Sequence, residues 1–209
     1  MRLLVACLAG APADISWTIS ERWRVATLQH VARRRARVWL DADEAAHSAR
    51  VSKLAGRVAR VLGLPTADRQ LVSVGGLLHD VGKSAVPSRI LRKASALTAD
   101  EWEALKAHVV IGAQRAGEVD ARVAMIVRAH HEYYDGRGYP DGVRGLAIPI
   151  GARIICAVDT LDALTTDRPY RRALSSAEAL TEMRAHAGTM FDPRIITALE
   201  SIHRAPGAD

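Results

Sequence analysis

The sequence predicts an all-α, single-domain helical bundle, and three observations carry that expectation. Its 209 residues suffice for one domain with a sizeable core and leave little for a second. Apolar residues make up 49% of the chain but aromatics only 4%, so the core must be built from Leu, Val, Ile and Ala, a composition that favours helices. Apolar positions recur at three- and four-residue spacing, and strand-like alternation is scarce.

Residues 1–42 read as an N-terminal segment. Pro12, Asp14 and Ser16 interrupt its apolar start, and a basic helix is expected over 21–40, with Trp23, Leu28, Val31 and Trp39 as packing groups. A second helix is expected over 43–62, where Val51, Leu54, Ala55, Val58 and Leu62 mark one apolar face. Gly63-Leu64-Pro65 stops it, and Thr66 is placed to cap the next helix, which carries Leu71, Val74, Leu77 and Leu78 inward and ends near Asp80. Residues 84–97 read as loop or short turns around Pro87. Thr98 and Glu101 then form a capping box for a helix that passes His108. A helix over 119–132 would bring His130 and His131 to its C-terminal end, and 135–142 is turn chemistry throughout. Pro149 opens a helix over 150–165 with Ile154, Ile155, Val158 and Leu161 inward. Ser175 and Glu178 form a second capping box, and Asp192-Pro193 opens the last helix, which ends near His203.

The formal net charge is +6, concentrated in Arg33-Arg34-Arg35 and Arg37. Such a balance suits anionic ligands or a solvated helix face. No zinc-finger spacing, RNA-binding aromatic signature or base-reading helix accompanies it, so nucleic acid is not an expected partner. Cys7 and Cys156 lie far apart in apolar surroundings and read as buried thiols of a reducing compartment. No apolar run reaches membrane-spanning length, and the cytoplasm is the expected location.

The chemistry gathers around Leu77-Leu78-His79-Asp80-Val81-Gly82-Lys83. His47 has Asp43 four residues before it, a spacing that lets both project from one helix face. His108, the pair His130-His131, and Asp159 in an apolar helical row complete the set; a carboxylate in such a row is costly unless it is paired or bound to metal. Five of the eight histidines belong to this set, too many to explain as packing. Imidazole with carboxylate suits iron, manganese or zinc, and a bridging carboxylate, naturally Asp80, suits two cations close together. Lys83 could neutralise a phosphate oxygen, which makes Asp80 and Lys83 the candidate catalytic pair. Gly138, Tyr139 and Pro140 lie in a glycine-rich loop directly after a candidate ligand pair and read as substrate recognition, as do Arg168 and Arg171, which could fork onto phosphates.

His79-Asp80-Val81-Gly82-Lys83, His130-His131-Glu132, Asp135-Gly136-Arg137-Gly138-Tyr139-Pro140, and the run from Asp159 to Thr165 followed by Arg168-Pro169-Tyr170-Arg171 resemble, in order, the motifs of the HD-GYP family of the HD phosphohydrolase superfamily. The resemblance covers roughly residues 43–200, within an expected HD-type helical domain over 43–204. It implies a phosphodiesterase that hydrolyses cyclic di-GMP to pGpG or on to GMP, with two Fe or Mn ions and in some members a third. By the same resemblance His47, His79, Asp80, His108, His130, His131 and Asp159 match metal ligands, and Lys83 matches a phosphate-contacting lysine. Gly138-Tyr139-Pro140 matches a loop that also serves contacts with signalling proteins, and a homodimer is a further expectation. Asp43 stands where members with three metals carry glutamate, one methylene longer. Two alternatives stand beside this function: hydrolysis of another nucleotide or cyclic dinucleotide, and a cyclic di-GMP-binding signalling adaptor with little turnover.

Overall fold

The computed structural model describes residues 14–167 and 172–204, with side chains from residue 27 onward. Nine α-helices lie among the described residues, and the only strand-like feature is one isolated bridge between Ala187 and Phe191. They are α1 (Asp14–Trp39), α2 (Ala42–Val61), α3 (Thr66–Leu78), α4 (Ser88–Leu91), α5 (Ala99–Gly117), α6 (Ala121–Arg128), α7 (Ile150–Thr165), α8 (Ser176–Ala185) and α9 (Pro193–Arg204). Short 3-10 turns occupy Val81–Ala85 and Gly145–Ala147. Cys156 is a buried free thiol, whereas Cys7 lies outside the described residues. None of the described helices is long and apolar enough to cross a membrane.

Helix α3 is the central element, touching α1, α2, α6 and α7. Two glycines let its neighbours come close. A Cβ at Gly76 would lie 3.0 Å from Ser52 Cα of α2, and one at Gly75 would lie 2.7 Å from Ile126 Cγ2 of α6. Leu71, Val72, Val74 and Leu78 fill the space between, joined by Val51, Ala55 and Val58 from α2 and by Ile154, Ile155, Val158 and Leu161 from α7. Each large apolar side chain buried here contributes about 1.5–3 kcal/mol. Helices α8 and α9 pair and close over α7, with Met183, Phe191, Ile195 and Leu199 buried beneath them.

Both expected capping boxes form, Thr98 with Glu101 ahead of α5 and Ser175 with Glu178 ahead of α8, each side chain and backbone N–H satisfying the other. Two local expectations are corrected and a third is sharpened. Thr66 is the first residue of α3 rather than its cap; Pro65 occupies the cap, and the Thr66 hydroxyl instead accepts from Arg69 at 2.5 Å. The stretch after Pro87 contains a one-turn helix, α4, seated on buried Ile90. Helix α6 ends at Arg128, so His130 and His131 stand in the turn beyond it. That turn frees the backbone to aim two consecutive imidazoles at the same place, which a continuing helix would splay by about 100°.

Candidate metal centre

Three histidines are built alike. Nδ1 of His79 lies 2.8 Å from Gly76 O, that of His108 lies 2.6 Å from Leu105 O, and that of His130 lies 2.6 Å from Val127 O. A carbonyl only accepts, so each Nδ1 carries a proton and Nε2 is the atom left to coordinate a cation. All three Nε2 atoms are buried without a hydrogen-bond partner. Three orphaned lone pairs in one place would be costly in an apo core, and a cation satisfies them; backbone carbonyls behind metal-ligating imidazoles are a recurrent second layer. His47 is oriented differently, with Nδ1 2.7 Å from Asp162 Oδ2 and Nε2 3.1 Å from Asp159 Oδ1.

The side chains fall into two groups whose ligating atoms lie within 4.8 Å of one another: His47 with His79 and Asp80, and His108 with His130 and His131. Asp80 faces both. Its Oδ2 is 3.1 Å from His79 Nε2, 3.9 Å from His47 Nε2 and 2.6 Å from Lys83 Nζ, while its Oδ1 is 3.6 Å from His108 Nε2. Asp159 comes to the first group from α7, 3.9 Å from His79 Nε2. The structure therefore brings together His47, His79, Asp80, Lys83, His108, His130, His131 and Asp159.

The electrostatics divide the same way. Burial opposes charge on His47, but the Asp159 and Asp162 carboxylates outweigh it and raise its pKa to about 9. Burial likewise opposes charge on His79 and Lys83, and Asp80 raises both. Asp80 is itself held well below the ordinary carboxylate range, because His79 and Lys83 overcome its desolvation. On the other side burial dominates. His130 is driven well down, and burial with the neighbouring His108 takes His131 to about 4, so these rings are neutral at neutral pH.

The loop after His131 is fixed from beneath. Glu132 is fully buried, and its Oε1 accepts from the backbone N–H groups of Asp141 at 2.6 Å and Gly142 at 3.1 Å. Gly138 must be glycine, since a Cβ would lie 2.3 Å from Tyr133 N and 2.4 Å from His131 O. The Tyr139 ring stacks on His131 with centroids 4.9 Å apart, meets Trp102 edge-on at 6.2 Å, and has Lys106 Nζ 5.8 Å above it. Pro140 follows through a cis peptide bond.

Asp43, expected beside His47, lies exposed and outside both groups. The reason is helical phase. The buried stripe of α2 runs Ser48, Val51, Ala55 and Val58, and its backward extension is position 44. Position 43 continues the flank that carries exposed Arg50. Glu44 accordingly stands at the rim, near enough to Lys83 and Asp80 to feel their charges, with its pKa raised by burial. Arg168 and Arg171 lie outside the described residues. Residue chemistry alone gave no role to Glu44, Glu132 or Asp162. Asp162 was signalled by its place one helical turn beyond Asp159, and Glu132 by its position after two histidines.

A family model for the HD domain matches residues 27–195. The cyclic di-GMP phosphodiesterase response regulator RpfG of Xanthomonas campestris is 40% identical over 185 residues, which are 87% of this chain and 48% of that protein. The 3′3′-cGAMP-specific phosphodiesterase 3 of Vibrio cholerae is 39% identical over 158 residues, 75% of this chain and 34% of that one. Among solved structures, Bd1817, an HDG"Y"P protein from Bdellovibrio bacteriovorus, superposes with a TM-score of 0.63 at 26% identity, covering 78% of this chain and 53% of its own. The chain belongs to the HD domain family and, by its motifs and relatives, to the HD-GYP type. It spans half or less of the length of the curated relatives it matches.

Proposed function

We propose that this chain is a metal-dependent phosphodiesterase that hydrolyses cyclic di-GMP to pGpG, to GMP, or to both in succession. The reading rests chiefly on Asp80, whose two oxygens face two separate groups of potential ligands. A carboxylate so placed suits two cations held side by side. His47, His79, Asp159 and Asp80 Oδ2 would hold one, and His108, His130, His131 and Asp80 Oδ1 the other. Fe and Mn both fit mixed imidazole and carboxylate donors. Asp43 stands apart from both groups, so two cations are proposed and not three. When bound, the pair supplies Lewis acidity toward the phosphodiester and an activated water.

The remaining work falls to side chains. The Lys83 ammonium lies against Asp80 Oδ2 and would meet a phosphate oxygen entering beside it, offsetting charge as the ester is cleaved. Glu132 holds the loop that presents Gly138, Tyr139 and Pro140 as one wall. The raised pKa of Tyr139, due first to burial, keeps its hydroxyl a donor. Arg168 and Arg171 are proposed as phosphate forks. A catalytic domain over residues 43–204, a cytoplasmic location, a homodimer and a signalling partner at the Gly138-Tyr139-Pro140 loop belong to the same proposal.

A second reading, hydrolysis of 3′3′-cGAMP, is favoured by the 39% identity to a phosphodiesterase named for that substrate. Turnover of cyclic di-GMP, 3′3′-cGAMP and 5′-monophosphates by protein purified anaerobically and reloaded with Fe(II) or Mn(II) separates these. The His79→Ala/Asp80→Ala protein is the control. Cyclic di-GMP cleavage that vanishes in the control supports the leading reading. A folded, metal-loaded protein that binds cyclic di-GMP and never cleaves it would instead be an adaptor.

A further inference from the structure

Behind the metal centre, between α2, α7, α8 and α9, lies a cavity of about 230 Å³. Its floor is apolar, with Leu54, Leu161, Leu180, Leu199 and Ile202. Arg50, Lys53 and Arg57 bring positive charge to its lining, and Ser176 and His203 add polar groups. The one acid in the lining, Asp162, is already neutralised, since Arg50 grips both its oxygens at 2.7 and 2.8 Å. Among the described residues Lys53 and Arg57 have no carboxylate partner. An apolar void of roughly 150 Å³ accommodates a benzene ring, so this one has room for such a body and a charged head. Concave apolar surface with a few convergent polar or charged groups is the usual form of a small-ligand site.

We propose that this cavity is an effector site for a compact amphipathic anion, with the apolar body on the leucine floor and the head between Lys53, Arg57 and Arg50. Its message has a short route. Arg50 holds Asp162, and Asp162 Oδ2 receives His47 Nδ1 at 2.7 Å. A bound anion competes for the Arg50 guanidinium and leaves the Asp162 carboxylate a stronger acceptor for His47. A stronger acceptor behind an imidazole makes its other nitrogen a better ligand, so anion binding and cation binding at His47 assist one another. Binding of the anion does not depend on the phosphodiesterase reading; only its consequence for catalysis does.

The test uses benzenesulfonate, a poor metal ligand with no bond to hydrolyse, titrated into the metal-free full chain and followed by amide and histidine-ring nitrogen NMR. Saturable shifts around residues 50–57 and 176–180 are expected, with methyl phenyl sulfone, the neutral equivalent, giving none. The Lys53→Ala/Arg57→Ala protein should bind roughly tenfold or more weakly. The His47 ring signals should move on saturation in the natural protein and stay still in Arg50→Lys, which keeps the charge but loses the fork. Absence of saturable binding, or affinity unchanged in the double variant or with the sulfone, would overturn the site. Bound probe with unmoved His47 signals would overturn the effector role.

Discussion

His108, His130 and His131 stand on one side of Asp80 as neutral rings in a desolvated pocket, while His47 and His79 stand on the other among Asp159, Asp162 and Lys83. The first group stores coordination capacity as unpaired lone pairs. The second stores it at His47 as ion pairs whose proton a cation must displace, beside the unpaired Nε2 of His79. Both could hold a metal, but they respond to acid and base in opposite senses, and the second is linked to exposed Arg50 through Asp162. One centre thus combines a passive half with a half that can be adjusted from outside.

The largest test of this division is at its hinge. Asp80→Asn keeps the shape but removes the charge facing both halves; on the two-cation proposal, metal content by mass spectrometry after gel filtration should fall to well below one ion per chain. Retention of one full equivalent would mean that the halves are independent and Asp80 serves only one. Next comes the spacing between them. A Cβ at Gly82 would lie 1.9 Å from His108 O and 2.7 Å from Gly112 N, all backbone, so Gly82→Ala should cost about 3 kcal/mol or more in denaturant unfolding. Gly117→Ala in the same helix as His108 and Gly112, with its nearest contact at 3.8 Å, should be neutral to within about 1 kcal/mol. A smaller effect is expected at the half linked to Arg50. Asp162→Asn should weaken cation binding at the His47 group by about 10–100-fold and leave the His131 group unchanged, as followed by Mn(II) titration.

The subtlest test is pH. His131 titrates near 4 in the folded chain, so the stability from its neutral burial is complete above its unfolded pKa of about 6.5 and is lost as pH falls toward 4. His47 titrates near 9, so its contribution is complete below about 6.5 and is lost as pH rises through 9. Metal-free protein should therefore melt highest near pH 6.5, each limb amounting to on the order of 1–3 kcal/mol. His131→Gln should flatten the acid limb and His47→Gln the alkaline one. If either substitution flattens both, the two halves titrate as a single unit.

Much of this was readable in the chain. Core positions such as Val51, Val58, Ile154 and Ile155 follow from helical periodicity, and the caps at Thr98 and Ser175 follow from local hydrogen-bond chemistry. The gathered histidines were legible because a core has little use for so many imidazoles beside acids unless a cation binds them. What was not legible depends on rotation and on distant neighbours. Positions 43 and 44 flank His47 about equally in sequence, and only the buried stripe of α2 decides that Glu44 faces inward. Asp162 reaches His47 across 115 residues of chain. Glu132 acquires its purpose only when the loop folds back over it to deliver two N–H groups.

The contact between Gly82 and Gly112 has a genetic corollary. Peptide lies on peptide there, with no side chain between that a second mutation could trim. Damage to a packed core can be repaired by a compensating change nearby, because side chains offer volume to exchange. This junction offers none. A selection for recovered function starting from Gly82→Ala should return reversion to glycine almost exclusively, whereas one starting from Leu78→Ala in the core should yield a scatter of suppressors across α2, α6 and α7.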